Sequence, residues 1–118
     1  MTTEGVSGVM AYDEVLADRV RQRLEHADLD AAEKKMFGAV CFLDRGNTVA
    51  GASGDDLFVR VDPGYMDDAL AQPGARPYEF RGRTAGGWVY VAGEVLDDEV
   101  LDDWLRAAWD AAAGLPPK

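Results

Sequence analysis

An apolar stripe near the C-terminus constrains this fold more than any other feature. In "LDDEVLDDWLRAAWDAAAGLPPK", the residues Leu101, Trp104, Leu105, Ala108, Trp109 and Ala112 recur at the spacing of one helix face. Asp97 stands where an N-cap belongs, and Leu96 and Leu101 occupy the staple positions on either side of it. Gly114 is expected to supply a left-handed stop, and Pro116 and Pro117 prevent continuation. A face with two tryptophans needs a broad apolar surface to bury against.

The rest of the chain offers a sheet. From Asp13, an expected N-cap, Leu16, Val20 and Leu24 line a second helix face, with Arg19, Arg21 and Arg23 largely outside it. "HADLDAAE" breaks that pattern. Residues 35 to 43 then read as one strand, apolar on both faces, with Phe37, Ala39, Cys41 and Leu43 opposing Met36, Val40 and Phe42. "DRGN" is a hairpin turn, "TVAGAS" a strand, "GDD" a turn and "LFVRV" a strand, which together make an antiparallel meander. Small Gly51 and Ala52 leave room for something to pack closely on the middle strand. "DPGYMDDALAQPG" predicts a short helix capped by Asp62, and "RPYEF" and "GWVYV" predict two strands joined by a loop "RGRTAGG". The expected order is α-β-β-β-α-β-β-α, an α+β domain with helices packed on an antiparallel sheet. Residues 1–10 read as a flexible tail, with Met10 a candidate alternative start, and residues 11–118 as one domain.

Charge and cysteine content narrow the function. The net charge of −10 disfavours phosphate backbones, so no direct nucleic-acid binding is expected. Cys41 is the only cysteine, which excludes an intramolecular disulfide. "MTTEGVSGVM" lacks the basic start and apolar run of a secretory signal, and no apolar run reaches the roughly 20 residues of a membrane span. The expectation is a cytoplasmic protein without a membrane segment.

No motif carries catalytic or metal chemistry. His26, the sole histidine, suits the C-terminal end of the first helix as a dipole partner, and the one thiol, Cys41, lies mid-strand, where cysteine acts as a small hydrophobe. "GASGD" around Ser53 fails the G-x-S-x-G spacing at Asp55. Asp55 and Asp56 fit a turn. Asp97, Asp98, Glu99, Asp102 and Asp103 crowd a helix start, where negative charge is favourable. Neither a calcium loop nor a glycine-rich phosphate loop is present, so no catalytic residue, metal or cofactor is expected.

Two candidate surfaces remain. Lys34 and Lys35 precede the first expected strand, and Arg81 and Arg83 lie in the "RGRTAGG" loop with Trp88 at its exit. Together they form a candidate ligand site for a small anion or nucleotide held by residues 81–87. The plainer reading is that cations at strand ends keep a sheet soluble. Met36, Phe42 and Phe58 form a candidate partner interface, because a strand apolar on both faces fits self-association into a homodimer.

At "EKKMFG", "DDLFVRV" and "FRGRTAGGWVYV" the chain resembles the TfoX (Sxy) amino-terminal domain family, and "MAYDEVLADRV" and "GLPPK" extend the resemblance from Met10 to Lys118. The matching residues are Lys35, Met36, Phe37, Gly38, Leu57, Phe58, Val59, Gly82, Trp88 and Tyr90. The resemblance implies a secretion-chaperone-like α+β fold and a non-enzymatic regulatory domain of the competence-related kind. It further implies action through protein–protein contacts, and the family motif specifies no catalytic residue. Full regulators of the family carry a second, helical domain, so a stand-alone single-domain member is expected.

Overall fold

Asp13 starts the first helix by accepting hydrogen bonds from the amides of Val15 at 2.9 Å and Leu16 at 3.4 Å. The computed structural model describes residues 13–36, 38–80 and 83–117, the side chains of 79–80 and 83–86 excepted. The expected tail, residues 1–10, lies outside them. Helix α1 spans Glu14–His26, followed by strands β1 (Ala32–Met36), β2 (Ala39–Asp44), β3 (Asn47–Ser53) and β4 (Asp56–Arg60). A 3-10 turn, Pro63–Tyr65, leads into the short helix α2 (Met66–Leu70). Strands β5 (Ala75–Phe80) and β6 (Arg83–Ala92) follow, then a second 3-10 turn and helix α3 (Asp98–Ala113).

All six strands form one antiparallel sheet in the order β1-β2-β3-β4-β6-β5. The first four make a meander. After α2 the chain enters the far edge as β5 and returns inward as β6, which pairs with β4. This is the expected α+β fold, with one more strand in the first half.

The extra strand comes from the stretch expected as a single strand over residues 35 to 43. It is two strands, β1 and β2, meeting at the Met36–Ala39 pair with Gly38 at φ 78° in the link. "AEKKM" lacks apolar alternation because it is an exposed edge, and lysines there discourage sheet-to-sheet pairing. The "DRGN" turn is as expected: Arg45 and Gly46 both have positive φ, 53° and 84°, as a two-residue type I′ turn requires. Residues Arg83 to Gly87, expected in a loop, belong to β6.

The helices bury one face of the sheet. Leu16, Val20 and Leu24 of α1 and Leu101, Trp104, Leu105 and Ala108 of α3 pack with Val40, Phe42, Val49, Leu57, Val59, Val89 and Val91. Arg23 of α1 and Asp102 of α3 form a two-pronged ion pair at 2.7 and 2.6 Å, and Arg19 donates to the Leu96 carbonyl at 2.6 Å. Asp97 caps α3 through the Val100 amide at 2.8 Å. Gly114, expected to be left-handed, is right-handed at φ −79°. The helix end is secured from the side: Arg45 donates to the Ala113 carbonyl at 2.9 Å, and buried Asn47 donates to Pro116 at 2.9 Å.

Candidate functional site

The opposite face of the sheet carries the chemistry. A single cross-strand row runs over all six strands, from Lys34 through Cys41, Gly51, Phe58 and Tyr90 to Arg76. Because side chains alternate along a strand, this row and its neighbours two residues away point away from the helices. "WVYV" at residues 88–91 shows the division: Val89 and Val91 are in the helix-covered core, Trp88 and Tyr90 on the other side.

Gly51 makes the row possible. A Cβ at that position would collide with the Phe58 ring and come within 2.5 Å of the Val40 carbonyl oxygen, so the ring of Phe58 lies directly on the β3 backbone. The close packing expected around Gly51 is therefore present. On this floor stand three further aromatics. Phe58 is 5.8 Å from Tyr78 and 5.9 Å from Trp88 between ring centroids, and Tyr78 is 4.8 Å from Tyr90. Ala39 and Cys41 are buried beside Phe58, and Met36 and Leu43 pack against them. Among the described residues, none from a helix joins this cluster.

Two arginines lie on the rings. The Arg60 guanidinium is 4.6 Å from the Trp88 ring centroid and donates to the Thr48 carbonyl at 2.8 Å. Arg76 is 4.9 Å from the Tyr90 centroid and donates to Asp56 at 2.5 Å. Burial lowers the pKa of Arg60 without discharging it, since arginine stays protonated in proteins. Burial also pushes the Tyr78 hydroxyl up, with Tyr90 and Cys41 adding to it. The Cys41 thiol is pushed up by burial against a smaller opposing pull from Lys34, so it stays protonated and unreactive at neutral pH. Among the described side chains, the face thus presents aromatic surface with Lys34, Arg60 and Arg76 against one carboxylate, Asp56, on a chain of net charge −10.

The residues expected from sequence are redistributed by this geometry. Lys34, Met36, Phe58 and Trp88 come together on the open face. Lys35 pairs with Val40 and so points the other way, toward the side of α1, where it lies near Glu33. Neither lysine precedes the strand; both are in the middle of β1. Phe42 is fully buried beneath the helices and is not at a surface, because it shares its face with Val40. Arg81 lies outside the described residues, and Arg83 is described only as the first backbone position of β6. Sequence reasoning missed Tyr78, Tyr90 and Arg60 as members of one site. The alternation of aromatic and valine in "WVYV" was a legible signal, whereas the pairing of β4 with β6 that brings Arg60 to Trp88 has no local signature. Among the described residues, no three potential metal ligands cluster, and no helix is long and apolar enough to cross a membrane.

A single sheet, with helices on one face and an aromatic, cationic surface on the other, defines an α+β domain with one broad face against which no described helix packs. The model of the TfoX N-terminal domain family matches residues 23–112, and the chain belongs to that family. No curated protein and no solved structure matches the chain.

Proposed function

We propose that this is a non-enzymatic regulatory domain of the cytoplasm that works by binding a protein partner on its open sheet face. The observation behind this reading is the cluster of Phe58, Tyr78, Trp88 and Tyr90 on a face against which no described helix packs. Aromatic side chains and arginine are the residues that dominate binding energy at protein interfaces, because they desolvate a large area with few rotatable bonds. The charge pattern selects the partner. A second copy of this face would set Lys34, Arg60 and Arg76 against the same cations, so an apolar surface bearing carboxylates suits it better than self-association.

The test compares the wild-type domain with Tyr90→Glu, both checked for folding by circular dichroism, as baits for purified candidate partners. The expected partner binds the wild type, perturbs the Trp88 indole signal in NMR and loses at least about tenfold in affinity on Tyr90→Glu. Partners that bind both baits equally would remove the reading. A short single-stranded oligonucleotide that stacks on the same rings would replace it with nucleic-acid recognition. Protection of residues 81–87 by phosphate alone would replace it with the anion-binding reading.

A further inference from the structure

On the opposite side of the molecule, a groove of about 680 Å³ runs between the Pro63–Tyr65 turn with α2 on one wall and α3 on the other. Its lining is largely apolar, with Val61, Ala69, Val95, Trp104 and Ala107, and Tyr65, one of the two exposed large hydrophobic residues among the described residues, stands at its lip. Its rim is acidic on both walls. Asp62 and Asp68 come from the turn and α2, and Asp103 and Asp110 from α3. The last two are seven residues apart, which places them two turns apart on one helix edge, about 10 Å. Among the described residues, none of the four forms an ion pair, and no lysine, arginine or histidine lines the groove.

We infer that this groove binds an amphipathic helix of a partner protein, one with an apolar stripe flanked on both sides by lysine or arginine. An apolar trough between two helical walls accepts the side-chain row of a third helix. The wall residues Val100, Trp104, Ala107 and Ala111 follow the same three- and four-residue spacing, so the trough extends along about three helical turns. Carboxylates on both walls then fit cations on both flanks of the guest. They would repel an acidic segment, and the chain's own residues 1–12, "MTTEGVSGVMAY", contain no lysine or arginine and one glutamate. The chain's own arginine-bearing helix, α1, is committed to the core through Leu16, Val20 and Leu24, and its three arginines are balanced by Glu14, Asp18 and Glu25. The surface is separate from the aromatic sheet face, and each has its own indole reporter, Trp104 here and Trp88 there.

The experiment titrates the full-length domain with a synthetic 15-residue helix of leucine and lysine, and with its glutamate-for-lysine counterpart. The expected result is saturable binding of the basic peptide, with shifts at the Trp104 indole and the Ala107 amide and an unmoved Trp88 indole. Raising salt from 50 to 300 mM should weaken that binding severalfold, since rim charges are screened. The exposed double variant Asp103→Lys with Asp110→Lys should fold as the wild type does and weaken binding about tenfold or more. Equal binding of both peptides, shifts confined to the sheet face, or affinity unchanged in the double variant would overturn the inference, as would no binding at millimolar peptide.

Discussion

The two faces of the sheet are made from the same strands and solve different problems. Apart from Phe42, the covered face is aliphatic: Val49, Leu57, Val59, Val89 and Val91 are each 1% exposed or less. Such side chains pack in few rotamers and carry no polar atom that burial would strand. The open face is aromatic and cationic, with Trp88 and Tyr90 half-buried and Arg60 and Arg76 spread over their rings. Tryptophan, tyrosine and arginine join a large apolar surface to a polar handle, so they tolerate water and still gain from being covered. The lesson is that one face is closed off from water by the helices while the other keeps part of its aromatic surface open to it.

The largest expected effect breaks the covered face. Leu101→Ala removes a fully buried side chain from the first turn of α3 and should lower stability by about 2–5 kcal/mol in urea melts. A loss under 1 kcal/mol would mean that α3 does not anchor that core. Next comes Gly51→Ala, where the new methyl meets the Phe58 ring and the Val40 carbonyl oxygen. It should cost about 1–3 kcal/mol, and Phe58→Leu in the same background should recover part of the loss. Phe58 itself is only 6% exposed, so a charge there would unfold the domain instead of merely preventing an association. The open face responds differently. Trp88→Ala should cost only about 1–2 kcal/mol while weakening partner binding far more, and equal effects on both would erase the distinction between the faces.

The acid limb of stability probes what holds the helices over the covered face. Arg23 holds the Asp102 carboxyl below the usual carboxylate range, and Arg21 does the same to Glu33, although burial opposes both shifts. A depressed folded pKa means that the unfolded chain takes up protons first as pH falls. The stabilisation is therefore complete at neutral pH and is lost as the pH drops below about 4 and through the folded pKa values. Thermal melts from pH 7 down to pH 2.5 should show this loss, and Asp102→Asn should flatten part of it. Because both carboxylates are well exposed, salt should shrink the effect.

Legibility followed the locality of the cause. The caps at Asp13 and Asp97, the stripes of α1 and α3 and the Arg45–Gly46 turn are set by neighbours a few residues apart, and all were readable. The Met36–Ala39 hairpin was not, because the apolar run from Met36 to Leu43 continues straight across it. By residue type alone, Gly114 suggests a left-handed stop. The end of α3 is instead secured by Arg45 and Asn47, residues some 70 positions earlier. The aromatic site depends on β4 lying beside β6 with β5 outside, a pairing that follows only from the whole topology.

The smallest expected effects sharpen the comparison most, since they come from adjacent residues. Lys34 and Lys35 sit side by side on edge strand β1, yet alternation sends them to opposite faces. Lys34 pairs across to Cys41, at the end of the row that includes Phe58 and Tyr90, whereas Lys35 pairs with Val40 on the helix side. Both are exposed and neither is in an ion pair among the described residues, so alanine at either position should change stability by less than about 0.5 kcal/mol. Binding of an acidic partner should separate them. Lys34→Ala removes a cation from the contact face and should slow association, most at low salt, while Lys35→Ala should leave the association rate within about twofold of wild type. Stopped-flow measurements on the two variants decide it. Equal rates for both would mean that the partner reads the edge of the sheet as a whole and not its open face.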